Sequence, residues 1–348
     1  MDKLNIVQKT VVSIILATMV IIVVVPILFF LTVAFSNDVE MTQFPKRIFP
    51  SFSVTVKVAP AENGEYELFY DKGDGEGYRS IITTKNATKL ENHFKRQYGV
   101  NISGEKLLED FSATRENGPM EFTYRKDLLF NFKQFFAIVN NSSKALKNSI
   151  IVALYTILIS LSIGSLAGYA MARYNFKFKE TINVGMLIVR MFPVVGISIP
   201  MAVLLIKFGL FDTLIGLAIL YSIPNIALTA WITSSIFIGI NKELEEASYI
   251  FGGNGFNTFM RITLPLAFPA LAASSMYAFL AAWNDTISAL ILTNENQTLA
   301  LVVYKAIGTT SSGIQYAAAG SVILILPALV FTFIVRKYVN QMWGGVEL

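Results

Sequence analysis

The stretch INKELEEASYIFGGNGFNTFMRITLP, residues 240–265, is a polar segment between two long apolar ones. Asn241 is the predicted N-cap of a first short helix, which Gly252 and Gly253 end by supplying left-handed backbone. Asn254 is the predicted N-cap of a second short helix. The segment therefore predicts a capped helix–turn–helix between membrane spans, a shape that another protein can grip.

The side chains of this segment are consistent with a helix–turn–helix that binds another protein. Glu245 and Glu246 come early in the first helix, where the positive end of the helix dipole favours carboxylates. One apolar face, at helical spacing, consists of Leu244, Ala247 and Phe251. Leu264 precedes Pro265 and is therefore predicted to be extended, where the chain turns into the next apolar stretch.

The composition is that of a membrane protein. Apolar residues make up 54% of the chain and charged residues 15%, and the mean hydropathy is positive. Cysteine is absent, which excludes a disulfide framework and thiolate metal sites. The net charge of +4 is too small to suggest nucleic acid as a partner.

Six apolar stretches are long enough to cross the hydrocarbon core of a bilayer, which takes about 20 residues each. They lie near 11–35, 148–170, 183–206, 214–237, 266–291 and 318–337. The first is too long for the apolar part of a secretory signal, so it predicts an uncleaved anchor; a signal cleaved near Ser36 is the alternative.

The basic residues predict the orientation. They cluster at Lys3, Lys9, Arg173, Lys177, Lys179, Lys242, Arg261, Arg336 and Lys337. With both termini in the cytoplasm, every cluster lies on the cytoplasmic side, as the positive-inside rule requires. The segment 240–265 is then cytoplasmic as well.

Residues 37–147, between the first two spans, are predicted to lie outside the membrane. The part near 51–128 has the composition of a small soluble α+β domain. Alternation and turn residues predict strands at 53–58, 66–70 and 78–84, a turn at 71–77, and helices at 86–98 and 104–111. The single histidine, His93, is expected on a solvated helix face, a far commoner role than metal binding or catalysis.

The sequence lacks the common motifs for nucleotide binding, hydrolysis and metal binding. The sequence has no Gly-x-x-x-x-Gly-Lys-Ser/Thr loop for ATP, no Gly-x-Ser-x-Gly and no His-Glu-x-x-His. Catalytic and metal-binding residues are therefore not assigned, a membrane enzyme is disfavoured, and the energy source is expected on another polypeptide.

Ionisable residues are rare in the predicted spans. Lys207 and Asp212 lie at the outer end of the third span, where snorkelling explains them. Asp285 lies in the fifth span, and Arg190 lies deeper in the third and needs a partner or a water-filled cavity. A structural ion pair of Arg190 and a direct role in transport both remain open.

The loop motif resembles that of a known family, the permease subunits of binding-protein-dependent ABC importers, in the carbohydrate (MalG-type) branch. The matching positions are Glu246, Ala247, Gly252, Ile262, Leu264 and Pro265. Ser248 replaces a second alanine of the family motif, and Phe251 stands where the family has aspartate. Similar segments occur at 148–152, 170–173, 191–193, 209–213 and 283–285. The resemblance covers 10–50 and 130–340, and it leaves out the insertion and the tail 341–348.

The resemblance implies an all-α polytopic membrane protein with six transmembrane helices. The extracytoplasmic α+β insertion between helices 1 and 2 is expected from its composition and lies outside the resemblance. The implied division is 1–36 with helix 1, the outer segment 37–147, and a permease core at 148–348. The implied partners are a second permease, two cytosolic ATPases that hold ATP and Mg²⁺, an extracytoplasmic solute-binding protein and membrane lipid. The implied location is the inner membrane of a prokaryote.

The resemblance also implies roles for residues. Contacts with the ATPase are expected at Glu245, Glu246, Ala247, Ser248, Gly252, Gly253, Leu264 and Pro265. Candidates for the translocation path are Trp283, Asn284 and Arg190, although packing explains Trp283 and Asn284 equally well. Three alternatives stay open: a non-sugar solute such as a polyamine or phosphonate, a membrane sensor with an outer ligand domain, and a loop helix that lies on lipid headgroups.

Overall fold

The computed structural model describes residues 6–42, 49–71, 77–308 and 313–343. Lys3, most of the predicted turn at 71–77 and the last five residues of the tail lie outside these ranges. The chain divides into two compact units, Met1–Asn140 with Lys305–Val322, and Asn141–Tyr304 with Ile323–Leu348.

The first unit contains the first apolar helix and a small mixed domain. Its helices are α1 (Ile6–Phe35), α2 (Asp38–Thr42), α3 (Ala87–His93, continued by a π turn at Phe94–Tyr98), α4 (Gly104–Ser112), α5 (Thr114–Asn117) and α6 (Phe130–Ile138). Its strands are β1 (Ser53–Pro60), β2 (Tyr66–Asp71), β3 (Tyr78–Thr84) and β4 (Met120–Arg125). They form one antiparallel sheet in the order β3-β2-β1-β4.

The three predicted strands are confirmed, whereas β4 was not predicted. Val54, Val56 and Val58 alternate along β1 and face the helices, so the small domain has a core between its sheet and α3 and α4. His93 is half-buried against the Tyr98 ring, so the expectation of a solvated face was wrong. Burial lowers the pKa of this imidazole.

Buried polar groups join the end of α1 to the small domain. The Asn131 amide donates to the carbonyl oxygens of Ala34 (2.9 Å) and Ser36 (2.7 Å), which α1 leaves without helical partners. Glu40 forms an ion pair with Lys126 and accepts the backbone N–H of Asn37. Burial lowers the pKa of Lys126, and the Glu40 carboxylate opposes that shift.

The second unit is helical. It contains α7 (Ser142–Arg173), α8 (Lys179–Met191), α9 (Val194–Lys207), α10 (Leu214–Gly239), α11 (Glu243–Ile250), α12 (Gly255–Thr258, continued by a π turn at Phe259–Thr263), α13 (Leu264–Leu266), α14 (Phe268–Asn284), α15 (Ile287–Leu292) and α16 (Leu299–Ala306). Helix α17 (Gly313–Trp343) begins in the first unit and ends in the second.

Four of the described helices, α1, α7, α10 and α17, are long and apolar enough to cross a membrane. Two bent pairs raise the number to as many as six if each counts as one span: α8 with α9, bent by 96°, and Gly255–Leu266 with α14, bent by 77°. The count of six therefore stays a prediction.

The spans differ in detail from the sequence-based expectations. The predicted stretch 266–291 is interrupted, because α14 ends at Asn284 and α15 is separate. Pro193 lies at the break between α8 and α9. Pro200, Pro224 and Pro327 instead lie inside continuous helices, where the loss of one backbone hydrogen bond is tolerated.

Helices α7 and α10 pack closely through small residues. A Cβ atom added at Gly164 would lie 2.6 Å from the Cβ of Thr229. One added at Gly168 would lie 2.1 Å from the Thr233 hydroxyl oxygen. The small residues at 164–168 thus form a closely packed seam, which sets the distance between the two helices.

Candidate functional site

The segment 240–266 forms the predicted helix–turn–helix from α11 and the helix that starts at Gly255. Gly252 has φ +83°, the left-handed conformation expected at the end of α11. The Asn254 side chain caps the second helix by accepting the backbone N–H of Asn257 at 2.8 Å. Asn241 is not the N-cap residue of α11, but its side chain accepts the N–H of Glu243 at 3.1 Å.

The backbone at Leu264 differs from the expectation. Its φ of −64° and ψ of −43° are helical, so the predicted extended conformation was wrong. A helical residue before proline is disfavoured rather than forbidden. Here Pro265 lies in the first turn of α13, where its missing N–H leaves no helical hydrogen bond unmade. Leu264 packs against the buried residues Phe237 and Phe259.

Glu245 faces inward and fastens the loop to α7. Its carboxylate accepts hydrogen bonds from Arg173 Nε (2.9 Å), the Tyr169 hydroxyl (3.1 Å) and the Thr263 hydroxyl (2.9 Å). The side chains of Arg173 and Glu245 are only 6% and 7% exposed. Burial alone would raise the pKa of Glu245, but the bonds from Arg173 and Thr263 hold it below its ordinary value.

The same ion pair fixes the start of the loop. Arg173 also donates to the carbonyl oxygen of Ile240 at 3.1 Å. The rings of Tyr169 and Phe259 lie 4.9 Å apart, and both also contact the ring of Phe237. Both ends of the loop are therefore packed on the end of α7 and the end of α10.

The opposite side of the loop is an exposed surface, which we call the loop surface. It consists of Leu244, Glu246, Ala247, Ile250, Phe251 and Phe256. Ile250 is 82% exposed and Phe251 is 90% exposed, so the tip is apolar. Several exposed large apolar side chains in one short segment, with a carboxylate in the same helix, are typical of a surface that binds another protein.

Ser248 and Gly253 lie inside the turn. The Ser248 hydroxyl bonds the Thr258 hydroxyl at 2.9 Å. A Cβ atom added at Gly253 would lie 2.4 Å from the Ser248 hydroxyl oxygen. These two residues therefore set the angle between the two short helices, while Glu246 and Ala247 are presented outward.

The three candidates for the translocation path lie in different environments. Trp283 is buried, stacks on Phe279 and donates from Nε1 to the carbonyl oxygen of Leu324 at 2.9 Å. Its surroundings favour the packing alternative. Asn284 is exposed at the end of α14, and Arg190 is exposed in the last turn of α8. Within the described ranges, no hydrogen bond or ion pair joins Arg190 to another residue.

Asp212 binds a neighbouring loop. The sequence predicted only that its side chain snorkels to the membrane surface. Its carboxylate accepts the backbone N–H groups of Asn294 (2.9 Å), Glu295 (3.1 Å) and Asn296 (3.1 Å). Burial opposes ionisation, but these bonds hold the pKa of Asp212 below its ordinary value. The positive φ of 55° at Asp212, after Gly209, indicates the tight turn that aims this side chain.

Replacing Asp212 with alanine is expected to lower the free energy of unfolding by about 2–3 kcal/mol, because three N–H groups lose a charged acceptor. The stabilisation requires the carboxylate, so it is fully present above the ordinary aspartate pKa of 3.8 and is lost as the pH falls through the lowered pKa. Thermal unfolding in detergent as a function of pH measures both effects. Glu295→Ala, whose side chain is exposed in the same loop, is the control. Equal stabilities of the two variants would contradict the assignment.

The chain matches one protein family and is similar to several known proteins. The family described as "Binding-protein-dependent transport system inner membrane component" matches residues 160–343. A putative ABC transporter permease protein, ORF1, of Streptomyces antibioticus is 31% identical over 62% of this chain and 95% of its own. The maltodextrin transport system permease protein MalD of Streptococcus pneumoniae is 30% identical over 69% of this chain and 88% of its own.

A further relative and a solved structure are also similar to this chain. The trehalose transport system permease protein SugB of Mycobacterium tuberculosis is 33% identical over 56% of this chain and 73% of its own. A bacterial ABC transporter that imports the acidic polysaccharide alginate contains a chain of similar structure, with a TM-score of 0.62 over 95% of this chain and 96% of that one. Its identity of 16% makes this a likeness of fold alone.

Proposed function

The chain belongs to the family of binding-protein-dependent transport system inner membrane components, and from this premise we propose that it is a permease subunit of an ATP-driven sugar importer. Relatives of this kind are transport subunits rather than enzymes. We propose a second permease, two cytosolic ATPases and an extracytoplasmic binding protein as its partners. ATP and Mg²⁺ belong to the ATPases.

The loop surface is the proposed contact with an ATPase, and one observation carries this assignment. Glu245 is buried against Arg173, whereas the neighbouring Glu246 is exposed beside Ala247 and the apolar tip at Phe251. The loop is therefore held rigidly from within and presents a defined surface outward. Ser248 and Gly253 support that surface from inside the turn, and Leu264 and Pro265 fix its second end.

A headgroup-bound helix is less consistent with this geometry. An interfacial helix directs its apolar face into the lipid and carries basic residues on the other face. Here Glu246 stands beside the exposed apolar residues, and the anionic inner leaflet repels carboxylates. A protein partner with a cationic rim and an apolar cleft fits better.

The proposed solute is an oligosaccharide. Relatives named for trehalose and maltodextrin transport are 30–33% identical to this chain, which supports a sugar over a polyamine or phosphonate. We propose six spans, both termini in the cytoplasm and an outer position for the small domain. That domain then faces the binding protein or the second permease.

Glu246→Lys is expected to lower ATP-driven uptake at least tenfold while the protein still inserts, because a lysine opposes a cationic rim on the ATPase. Uptake of labelled maltotriose into proteoliposomes, together with cross-linking from a cysteine placed at 246, provides the measurement. Glu243→Lys, exposed in the same helix, is the control. Full uptake by Glu246→Lys, or no captured ATPase, would refute the contact. A sensor would take up no solute at all.

A further inference from the structure

A cleft of about 610 Å³ lies within the first unit, between the small domain, the short helix α2 and the start of α17. Its described lining comes from α2, β2, β3, the π turn after α3 and the start of α17: Asp38, Val39, Met41, Tyr70, Arg79, Ser80, Ile81, Gln97, Ile314 and Gln315. Its volume is in the range of small-molecule sites, which occupy about 300–1,000 Å³.

The floor of the cleft is a built polar structure. Gln315 is 4% exposed, and its amide donates to the Asp38 carboxylate at 2.9 Å. Tyr70 is buried at the end of β2. Gln315 and Tyr70 are thus the buried part of the lining, while Arg79 and Ser80 are exposed on β3.

The chemistry of the lining indicates the class of ligand. A carboxylate, a guanidinium and two amides line the cleft, and planar polar groups of this kind form hydrogen bonds with the hydroxyls of a sugar. The aliphatic side chains of Val39, Ile81 and Ile314 match the C–H faces of a sugar ring. Asp38 and Arg79 balance each other in charge, so the lining does not favour an ion.

We propose that this cleft binds a neutral saccharide at the outer face of the protein, at a site separate from the translocation path. The site brings a sugar unit to the mouth of the importer before transport. The proposal takes from the proposed function only the choice of sugars to test. An amino acid, which Asp38 and Arg79 would hold by its two charges, needs less than the available volume and is the rival outcome.

The experiment measures binding to the full chain in nanodiscs with its partner permease and ATPases, without nucleotide and without the binding protein. Maltotriose, trehalose and glutamine are titrated by isothermal calorimetry. We expect saturable binding of a sugar and none of glutamine. Arg79→Met and Gln97→Met remove polar groups but keep the side-chain length, and each is expected to weaken sugar binding at least tenfold.

Arg125→Met is the matched control, because Arg125 is exposed on β4 and does not line the cleft. Its affinity should equal that of the unaltered protein, and equal melting temperatures of all variants show that folding is intact. The proposal is overturned if no sugar binds, if glutamine binds instead, or if the two cleft variants bind sugar like Arg125→Met.

Uptake assays on the same preparations, with the binding protein added, separate this proposal from the proposed function. ATP-driven uptake of sugar without binding in the cleft rejects the cleft site alone. Binding in the cleft without ATP-driven uptake of any sugar rejects the proposed function alone.

Discussion

Glu245→Ala is expected to abolish ATP-driven uptake, although residue 245 lies outside the loop surface. The substitution leaves the buried guanidinium of Arg173 without its counter-ion, and breaking a buried pair in this way costs about 3–5 kcal/mol. Tyr169 and Thr263 lose their acceptor at the same time. The loop then has no fixed position on α7, so closure of an ATPase on it moves the loop without moving the span.

Uptake into proteoliposomes and ATP hydrolysis by the complex are the two measurements. We expect hydrolysis to continue while uptake stops, which is the signature of lost coupling. Glu243→Ala, two residues earlier and exposed, is the matched control and should retain uptake. Glu245→Gln keeps an acceptor for the two hydroxyls and should be intermediate. Normal uptake by Glu245→Ala would remove the proposed role of the Arg173 pair.

Gly168→Val is expected to prevent α7 and α10 from packing and to destabilise the protein by about 3 kcal/mol or more. Beyond Thr233, a Cβ atom at 168 would lie 2.7 Å from the carbonyl oxygen of Ala230 and 3.0 Å from the backbone nitrogen of Ser234. Side-chain rotation cannot relieve contacts with backbone atoms, so the helices must separate.

The melting temperature of the purified protein in detergent tests this expectation. Gly185→Val in α8 is the control, since an added Cβ there has no neighbour within 4 Å. Gly168→Val combined with Thr233→Ala removes the nearest side-chain contact and should recover only part of the loss, because the two backbone contacts remain. Equal melting temperatures for the two valine variants would show that the seam is not closely packed.

Local features of the loop were predictable from the sequence. The left-handed backbone at Gly252 and the cap at Asn254 depend on residues within a few positions of each other, and both were found as expected. The burial of Glu245 and the exposure of Glu246 were not predictable from the sequence. They depend on Arg173, which lies 72 positions before Glu245 in the chain and reaches it only through the packing of α7.

Residues that act through distant contacts were missed for the same reason. The role of Asp212 requires the loop at 294–296, more than 80 positions away. Trp283 was ambiguous in sequence because an aromatic ring suits a sugar and a core alike, and its hydrogen bond to Leu324 comes from a different helix. Strand β4 did carry a signal, the alternation of Phe122 and Tyr124, which was overlooked.

The buried polar contacts at the end of α1 restrict how this helix can move. Asn131 holds the terminal carbonyl oxygens of that helix, and Glu40 with Lys126 holds the residues just beyond it. Helix α1 can therefore neither rotate about its own axis nor slide along it without displacing the small domain to which it is bound. A fluorophore on an exposed strand of the small domain would therefore report a tilt of the helix without any label on the helix itself.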